Sequence, residues 1–353
     1  MRPRKPEMSG SGDLFRARLD QIINMRHELV RLADAIDWDW LDSELAGRFS
    51  DSGRPGTETR FMVGLLLLKH IYALSDEGVC ERWVYDPYFQ YFTGEEFFQH
   101  AFPHERSGLT HWRGRIGDRL EVLLQESLRV AHDTGALKKD DLARITVDTT
   151  VQPKNVTHPT DAKLMLTAIQ QLAKLAKAHG IRLRQSYVRV AKRAALMAGR
   201  YAHAKGGRFV LHTKALPGNP YDGHTLANVI EETQATTGRE IERVYADKGY
   251  RGHDATKPLR VFISGQRRGV HGQIKRELRR RSAIEATIGH MKIDGHLGRN
   301  FLKGRHGDQA NAVLTAVGYN LRLILNWLRA LLRKILEAIL AALGPPPIPN
   351  PAS

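Results

Sequence analysis

Ile145-Thr-Val-Asp148 is a short apolar run that ends on a carboxylate, and Val244-Tyr-Ala-Asp247 repeats the arrangement later in the chain. Runs of this length and composition predict short buried strands. A charged side chain directly after such a strand costs desolvation energy unless solvent, a partner or a metal offsets it. Around the two runs, helix and strand signals alternate. Residues 162–178 carry Leu164, Leu166, Ile169, Leu172, Leu175 and Ala176 in a helical pattern, and 208–213 read as a strand. Residues 225–237 read as a helix ended near Gly238, and 241–247 as the next strand, followed at once by Gly249-Tyr-Arg-Gly-His253. This alternation predicts an α/β domain with a mixed or parallel sheet, its ligands lying beyond the carboxyl ends of the strands. Asp148 and Asp247 both fall at such ends.

Upstream, residues 14–130 read as helices separated by polar breaks, with Phe61-Met-Val-Gly-Leu-Leu-Leu-Leu68 at the centre of a bundle. Thr110 is placed to cap one of these helices. Trp83, Tyr85, Tyr88, Phe89, Tyr91, Phe92, Phe97 and Phe98 form an aromatic cluster, which serves either as core or, where exposed, as a platform for stacking bases. Polar residues and Gly135 mark a boundary after Asp133. The expected organisation is a helical domain at 1–132, a linker at 133–142, an α/β domain at 143–330, a helical extension at 331–344 and a proline-rich tail at 345–353. Within 312–343, Leu314, Val317, Leu321, Leu325, Leu328 and Leu332 recur at three-to-four spacing, so this long C-terminal helix needs a partner surface. Its first half is expected to cover the sheet and its later half to meet another subunit.

The 353-residue chain carries 54 Lys and Arg against 38 Asp and Glu, a formal net charge of +16. Such an excess points to a polyanionic partner. The charge is clustered. No acid occurs from 162 to 221, where there are 12 Lys or Arg, and Lys275, Arg276, Arg279, Arg280 and Arg281 interrupt their run with Glu277 alone. Arg182, Arg184, Arg189, Lys192, Arg193 and Arg200 lead the first cluster as phosphate contacts, which give position and affinity more than sequence discrimination. Cys80 is the only cysteine, which excludes an intrachain disulfide and a cysteine-based zinc site and fits a reducing, cytoplasmic setting. No apolar signal core follows the basic N-terminus, and charges interrupt the C-terminal apolar region, so neither export nor a membrane span is expected.

A third acid, Glu285, stands in Arg281-Ser-Ala-Ile-Glu-Ala-Thr-Ile-Gly-His-Met-Lys292, four residues after Arg281 and seven before Lys292. At about 100° per residue all three side chains share one helical face. Ile284, Ile288 and Met291 form an adjacent apolar stripe suited to packing on the sheet. The acid is either part of a site or a solvated group in intrahelical ion pairs. With Asp148 and Asp247 it makes the set of carboxylates that a two-metal phosphoryl-transfer site needs, with Arg281 and Lys292 available for phosphate oxygens. Asp161 and Asp222 are weaker candidates, as a helix cap and a turn residue. His111, His212 and His224 lack metal-ligand spacing.

Several longer motifs carry a resemblance. Val147-Asp-Thr-Thr, Pro159-Thr-Asp-Ala, Leu183-Arg-Gln-Ser-Tyr-Val-Arg-Val, Gly199-Arg-Tyr-Ala-His, Pro217-Gly-Asn-Pro-Tyr-Asp-Gly-His-Thr-Leu, Ala246-Asp-Lys-Gly-Tyr-Arg-Gly, Arg281-Ser-Ala-Ile-Glu, Leu297-Gly-Arg-Asn-Phe-Leu-Lys-Gly and Gly318-Tyr-Asn-Leu occur in this order. Over about residues 10–330 the chain resembles a transposase of the IS5 group within the IS4-like DDE transposases. The resemblance implies an RNase H-like catalytic core, with Asp148, Asp247 and Glu285 as a triad binding two divalent cations, normally Mg²⁺ with Mn²⁺ as a substitute. Arg281 and Lys292 match its signature arginine and lysine, whereas Leu278 stands where the signature has a tyrosine. It further implies binding of double-stranded DNA at terminal inverted repeats and target sites, cleavage and strand transfer, and a homodimer on DNA. Only 204–216 separate Gly-Arg-Tyr-Ala-His from Pro217, an interval that is longer in the family and holds a core strand. A shortened core of this kind implies a displaced Asp148 and weakened catalysis. The rival readings are a transposase-derived DNA binder that no longer cuts and a metal-dependent nuclease without strand transfer.

Overall fold

Sequence patterning resolves into two units in a computed structural model, Met1–Lys138 with Asn320–Ser353, and Lys139–Tyr319. The structure describes residues 17–49, 56–150, 152, 161–181, 187–189, 209–218, 220–256, 259–266, 268–281 and 283–343.

The first unit is helical: α1 (Leu19–Ile22), α2 (Glu28–Ala35), α3 (Trp38–Ala46), α4 (Thr59–Ile71), α5 (Asp76–Tyr85), α6 (Pro87–Phe92), α7 (Gly108–Ile116) and α8 (Glu121–Asp133). Helix α4 is apolar on every side and Phe61 to Leu68 are all buried, so it forms the centre of the bundle. Ser75 caps α5 by accepting from Gly78 N–H at 2.9 Å, and Asp86 caps α6 with Pro87 at its first position. Of the aromatic cluster, Trp83, Phe89 and Phe92 are fully buried, and Trp83 Nε1 donates to Thr93 Oγ1 at 2.8 Å. These three are core, whereas Tyr85 is 78% exposed. A buried ion cluster ties α4, α5 and α7 together. Asp76 accepts two bonds from Arg113, at 2.8 and 2.5 Å, and one from Lys69 at 2.6 Å.

Gly64 lies where α4 meets the end of α6. A Cβ there would stand 3.0 Å from Thr93 Cγ2 and 3.2 Å from Thr93 Cα. Gly64→Ala is therefore expected to destabilise this unit by about 1–3 kcal/mol, as overpacking does. An unchanged urea midpoint would show that the end of α6 yields freely.

The second unit holds a sheet of β1 (Arg144–Thr146), β2 (Arg243–Ala246) and β3 (Arg260–Ile263), all parallel in the order β1-β2-β3. Its described helices are α9 (Asp161–Ala178), α10 (Leu226–Thr237), α11 (Gly272–Arg280), α12 (Ala283–Asp294) and the first part of α13 (Gly304–Leu343). Ile145, Val147, Val244 and Ala246 form one core with Leu226 and Ile230 of α10 and with Tyr250. Gly238 ends α10 in the left-handed conformation and returns its N–H to Gln234 O at 2.8 Å.

One sequence expectation changes here. Residues 209–216 form no strand. Leu211 packs against the core, but His212 and Lys214 turn to Glu232 of α10, so the segment uses side-chain contacts in place of ladder bonds. The middle of α13 is covered within its own unit. Leu321, Ile324, Leu325 and Leu328 are buried, Arg322 donates to His70 O at 2.8 Å, and Asn320 donates to Ser127 Oγ at 3.2 Å. An apolar stripe demands a covering surface, and over Asn320–Leu328 the N-terminal helices supply one. No described helix is long and apolar enough to cross a membrane.

Candidate active site at the strand ends

The register explains why two distant aspartates meet. Arg144, Ile145 and Thr146 pair with Arg243, Val244 and Tyr245, a constant offset of 99 residues. Val147 N–H donates to Tyr245 O at 3.1 Å and carries the ladder one step further. Asp148 and Asp247 share the same offset and so stand opposite one another at the carboxyl ends of neighbouring strands, which run about 4.8 Å apart. β1 and β2 pair with each other directly, so this register does not depend on a strand at 209–216.

Each aspartate is held by its own backbone. Asp148 Oδ1 accepts from Thr149 N–H at 3.0 Å, and Asp247 Oδ1 accepts from Gly249 N–H at 2.8 Å. Burial, and then the charge of Asp247, raises the Asp148 carboxyl above its ordinary range despite the Thr149 bond and Arg281. Glu285 adds to the same effect. Arg281 stands between the two acids it serves, 3.6 Å from Asp148 and 3.8 Å from Glu285. Arg281 and Asp148 are largely buried, at 13% and 15% side-chain exposure, whereas Glu285 is 69% exposed.

The helical face expected from Arg281 to Lys292 is divided. Arg281 closes α11, and Glu285 stands in the first turn of α12. An acid is favoured there by the helix dipole. Thr287 and Met291 are the buried side of α12, and Tyr319 of α13 donates to Thr287 Oγ1 at 3.4 Å. Lys292 is half-buried, and burial lowers its ammonium below the ordinary lysine range. Leu278, in the signature tyrosine's position, is also half-buried.

Helix α11 is fixed by its single acid. Glu277 accepts from Arg144 at 2.5 Å, from the Tyr245 hydroxyl, and from Gln273 at 2.7 Å. Burial and the Glu277 bond push the Tyr245 hydroxyl up to about 12. Lys275, Arg276, Arg279 and Arg280 are left exposed. Of the other expected DNA contacts, Arg189 is exposed, while Arg182, Arg184, Lys192, Arg193 and Arg200 lie outside the described residues.

Asp222, a weaker candidate from sequence, lies beside Asp247. A Cβ on Gly249 would meet Asp222 Oδ2 at 2.7 Å and Asp247 Oδ1 at 3.1 Å. The buried Tyr250 hydroxyl is raised by burial and then by Asp222, Asp148 and Asp247. An acid in a turn before a helix gives no sequence sign of such company; the glycine two residues after Asp247 was the available signal.

Among the described residues no three His, Cys, Asp or Glu side chains gather as a ready cage for a metal ion. The donors are nevertheless of the right chemistry for a hard cation. Mg²⁺ is commonly held by one or two carboxylates and completes its shell with water and substrate phosphate. The opposed aspartates fit that mode of binding.

Residues 17–115, all within the helical unit, match a family described as a transposase domain (DUF772). The uncharacterized protein ORF8 in the nfe locus of Rhizobium meliloti is 55% identical over 206 residues, spanning 58% of this chain and 99% of that protein. No solved structure matches. The chain thus belongs to the family of the rhizobial ORF8 protein, and its N-terminal helices are similar to a transposase domain.

Proposed function

We propose that the chain is a DNA transposase of the IS5 group with an RNase H-like catalytic core, which binds terminal inverted repeats, cleaves there and transfers the strand to target DNA. The observation that carries this reading is the parallel register that sets Asp148 opposite Asp247, with Arg281 linking Asp148 to Glu285. The transposase-domain match supports it independently.

In this reading Asp148, Asp247 and Glu285 hold two Mg²⁺ ions, or Mn²⁺ in their place. Bound there, the ions would supply an activated oxygen nucleophile and stabilise the leaving oxygen. Arg281 keeps Asp148 and Glu285 at a common distance and offsets part of their repulsion. Lys292 has an ammonium with no hydrogen bond or ion pair among the described residues, and is available to a phosphate oxygen. Exposed Lys275, Arg276 and Arg280 on α11 would track the duplex backbone beside the carboxylates. The helical unit would read the element ends, and a homodimer on DNA would bring two ends together in the cytoplasm.

The absence of a strand at 209–216 favours a second reading, a DNA binder that no longer cuts. Incubation with labelled element-end DNA, with and without Mg²⁺ or Mn²⁺, separates the two. Cation-dependent nicking and joined products are expected. Salt-sensitive binding without nicking would replace the enzyme reading with the binder.

A further inference from the structure

The site proposed above rests on Asp148, Asp247 and Glu285, and the turn before α10 brings a further carboxylate to it. Asp222 opens a short turn, Asp222–Thr225, directly before α10. That turn is braced against the loop after Asp247 in several places. Asp254 N–H donates to Gly223 O at 3.0 Å, Asp254 Oδ1 accepts from Ala227 N–H at 2.9 Å, and the Tyr221 hydroxyl donates to Arg251 O. The backbone of Asp222 is therefore positioned by the fold.

Gly249 is the residue that lets the two acids approach. Its φ lies outside the left-handed region, so the backbone conformation makes no demand for glycine. The demand is spatial. Any Cβ would stand 2.7 Å from Asp222 Oδ2 and 3.1 Å from Asp247 Oδ1, so both oxygens border the space left open above one α-carbon. Their separation is at most the sum of those distances. Among the described residues no lysine, arginine or histidine makes an ion pair with either acid. Arg281, the nearby cation, pairs with Asp148 and Glu285. Two carboxylates bordering one cleared space repel unless a cation offsets them, and a hydrated divalent ion needs only one or two such ligands.

We propose that Asp222 supplies a carboxylate to the divalent cation held at Asp247, with Gly249 keeping the space between them clear. This rests on the cation-dependent reading above. It assigns the Asp222–Thr225 turn to the ion-binding apparatus and gives Asp247 partners on two sides, Asp148 across the strands and Asp222 across the loop.

Free Mn²⁺ measured by electron paramagnetic resonance during titration of the full chain tests the assignment without reference to activity. Wild-type protein is expected to bind Mn²⁺, and Asp222→Asn to weaken that binding by about ten-fold or more, with an unchanged circular dichroism spectrum. Gly249→Ala, which retains every carboxylate, is expected to weaken it as well by forcing the two apart. Should Asp222→Asn fail to fold, the alanine variant carries the test. Wild-type affinity in both variants would overturn the role of Asp222 while leaving Asp148 and Asp247 as the site. Absence of Mn²⁺ binding in the wild type, with and without element-end DNA, would overturn this inference and the cation-dependent function together.

Discussion

Asp148→Asn is expected to remove cation-dependent cleavage, by on the order of 10²–10³-fold or more, while DNA binding and folding persist. The magnitude is that of deleting one preorganised electrostatic group from a reaction in which charge develops on oxygen. Stability should hold because the wild-type carboxylate is already in an unfavourable setting, buried and opposed to Asp247. The amide keeps an oxygen for Thr149 N–H, which the carboxylate binds at 3.0 Å, and Arg281 keeps Glu285 at 3.8 Å. Nicking assays, thermal melting and DNA affinity at two salt concentrations read these effects separately. Equal loss of binding and cutting would mean that Asp148 positions the fold or the DNA and does not serve the chemistry.

Asp76→Asn is expected to cost the helical unit about 3–5 kcal/mol, the range for removing one partner of a buried ion pair. Arg113 is 5% exposed, and the substitution would leave it and Lys69 as neighbouring cations with no carboxylate between them. Acid supplies the matching test. Burial alone would raise the Asp76 carboxyl, but the Arg113 bonds and the charges of Lys69 and Arg113 outweigh it and hold the group well below the carboxylate range. A folded-state value below the unfolded one, about 3.9, stabilises fully above that pH and less as the pH falls through the folded value. The gap between wild type and Asp76→Asn in urea denaturation should therefore be widest near neutrality and narrow below about pH 4. A gap independent of pH would assign the loss to shape and not to charge.

Much of this architecture is readable from local chemistry. The strands ending at Asp148 and Asp247 announce themselves because an apolar run closed by a carboxylate has few other uses, and α10 ends at the glycine that its pattern requires. Helix α4 is legible for the same reason, as an apolar stretch among amphipathic ones. What fails is the choice of partner. Phe209 to Thr213 carries strand-like residues, but whether such a run pairs depends on a neighbouring strand that local sequence cannot supply. The stripe on α13 declares that a surface covers it, not whose surface. Asp222 was set aside because a turn acid acquires its significance only when another loop folds against it. In sequence Glu277 is a single acid in a basic run, and only the fold makes it the anchor of α11.

The constant offset between β1 and β2 has an evolutionary corollary. Two strands that hydrogen-bond directly fix their own alignment, so the chain between Asp148 and the turn at Asp222 behaves as an insertion with anchored ends. Its length can drift, and whole segments can be lost or gained, without moving one carboxylate relative to the other. Loop closure changes by only about 0.6 kcal/mol for each doubling of such a span. The strands themselves have no such freedom. Adding one residue to Ile145-Thr-Val or to Val244-Tyr-Ala would slide an aspartate by about 3.3 Å and turn it to the other face of the sheet. Lineages of this protein should therefore tolerate wide variation in the interval while conserving the length of two three-residue runs.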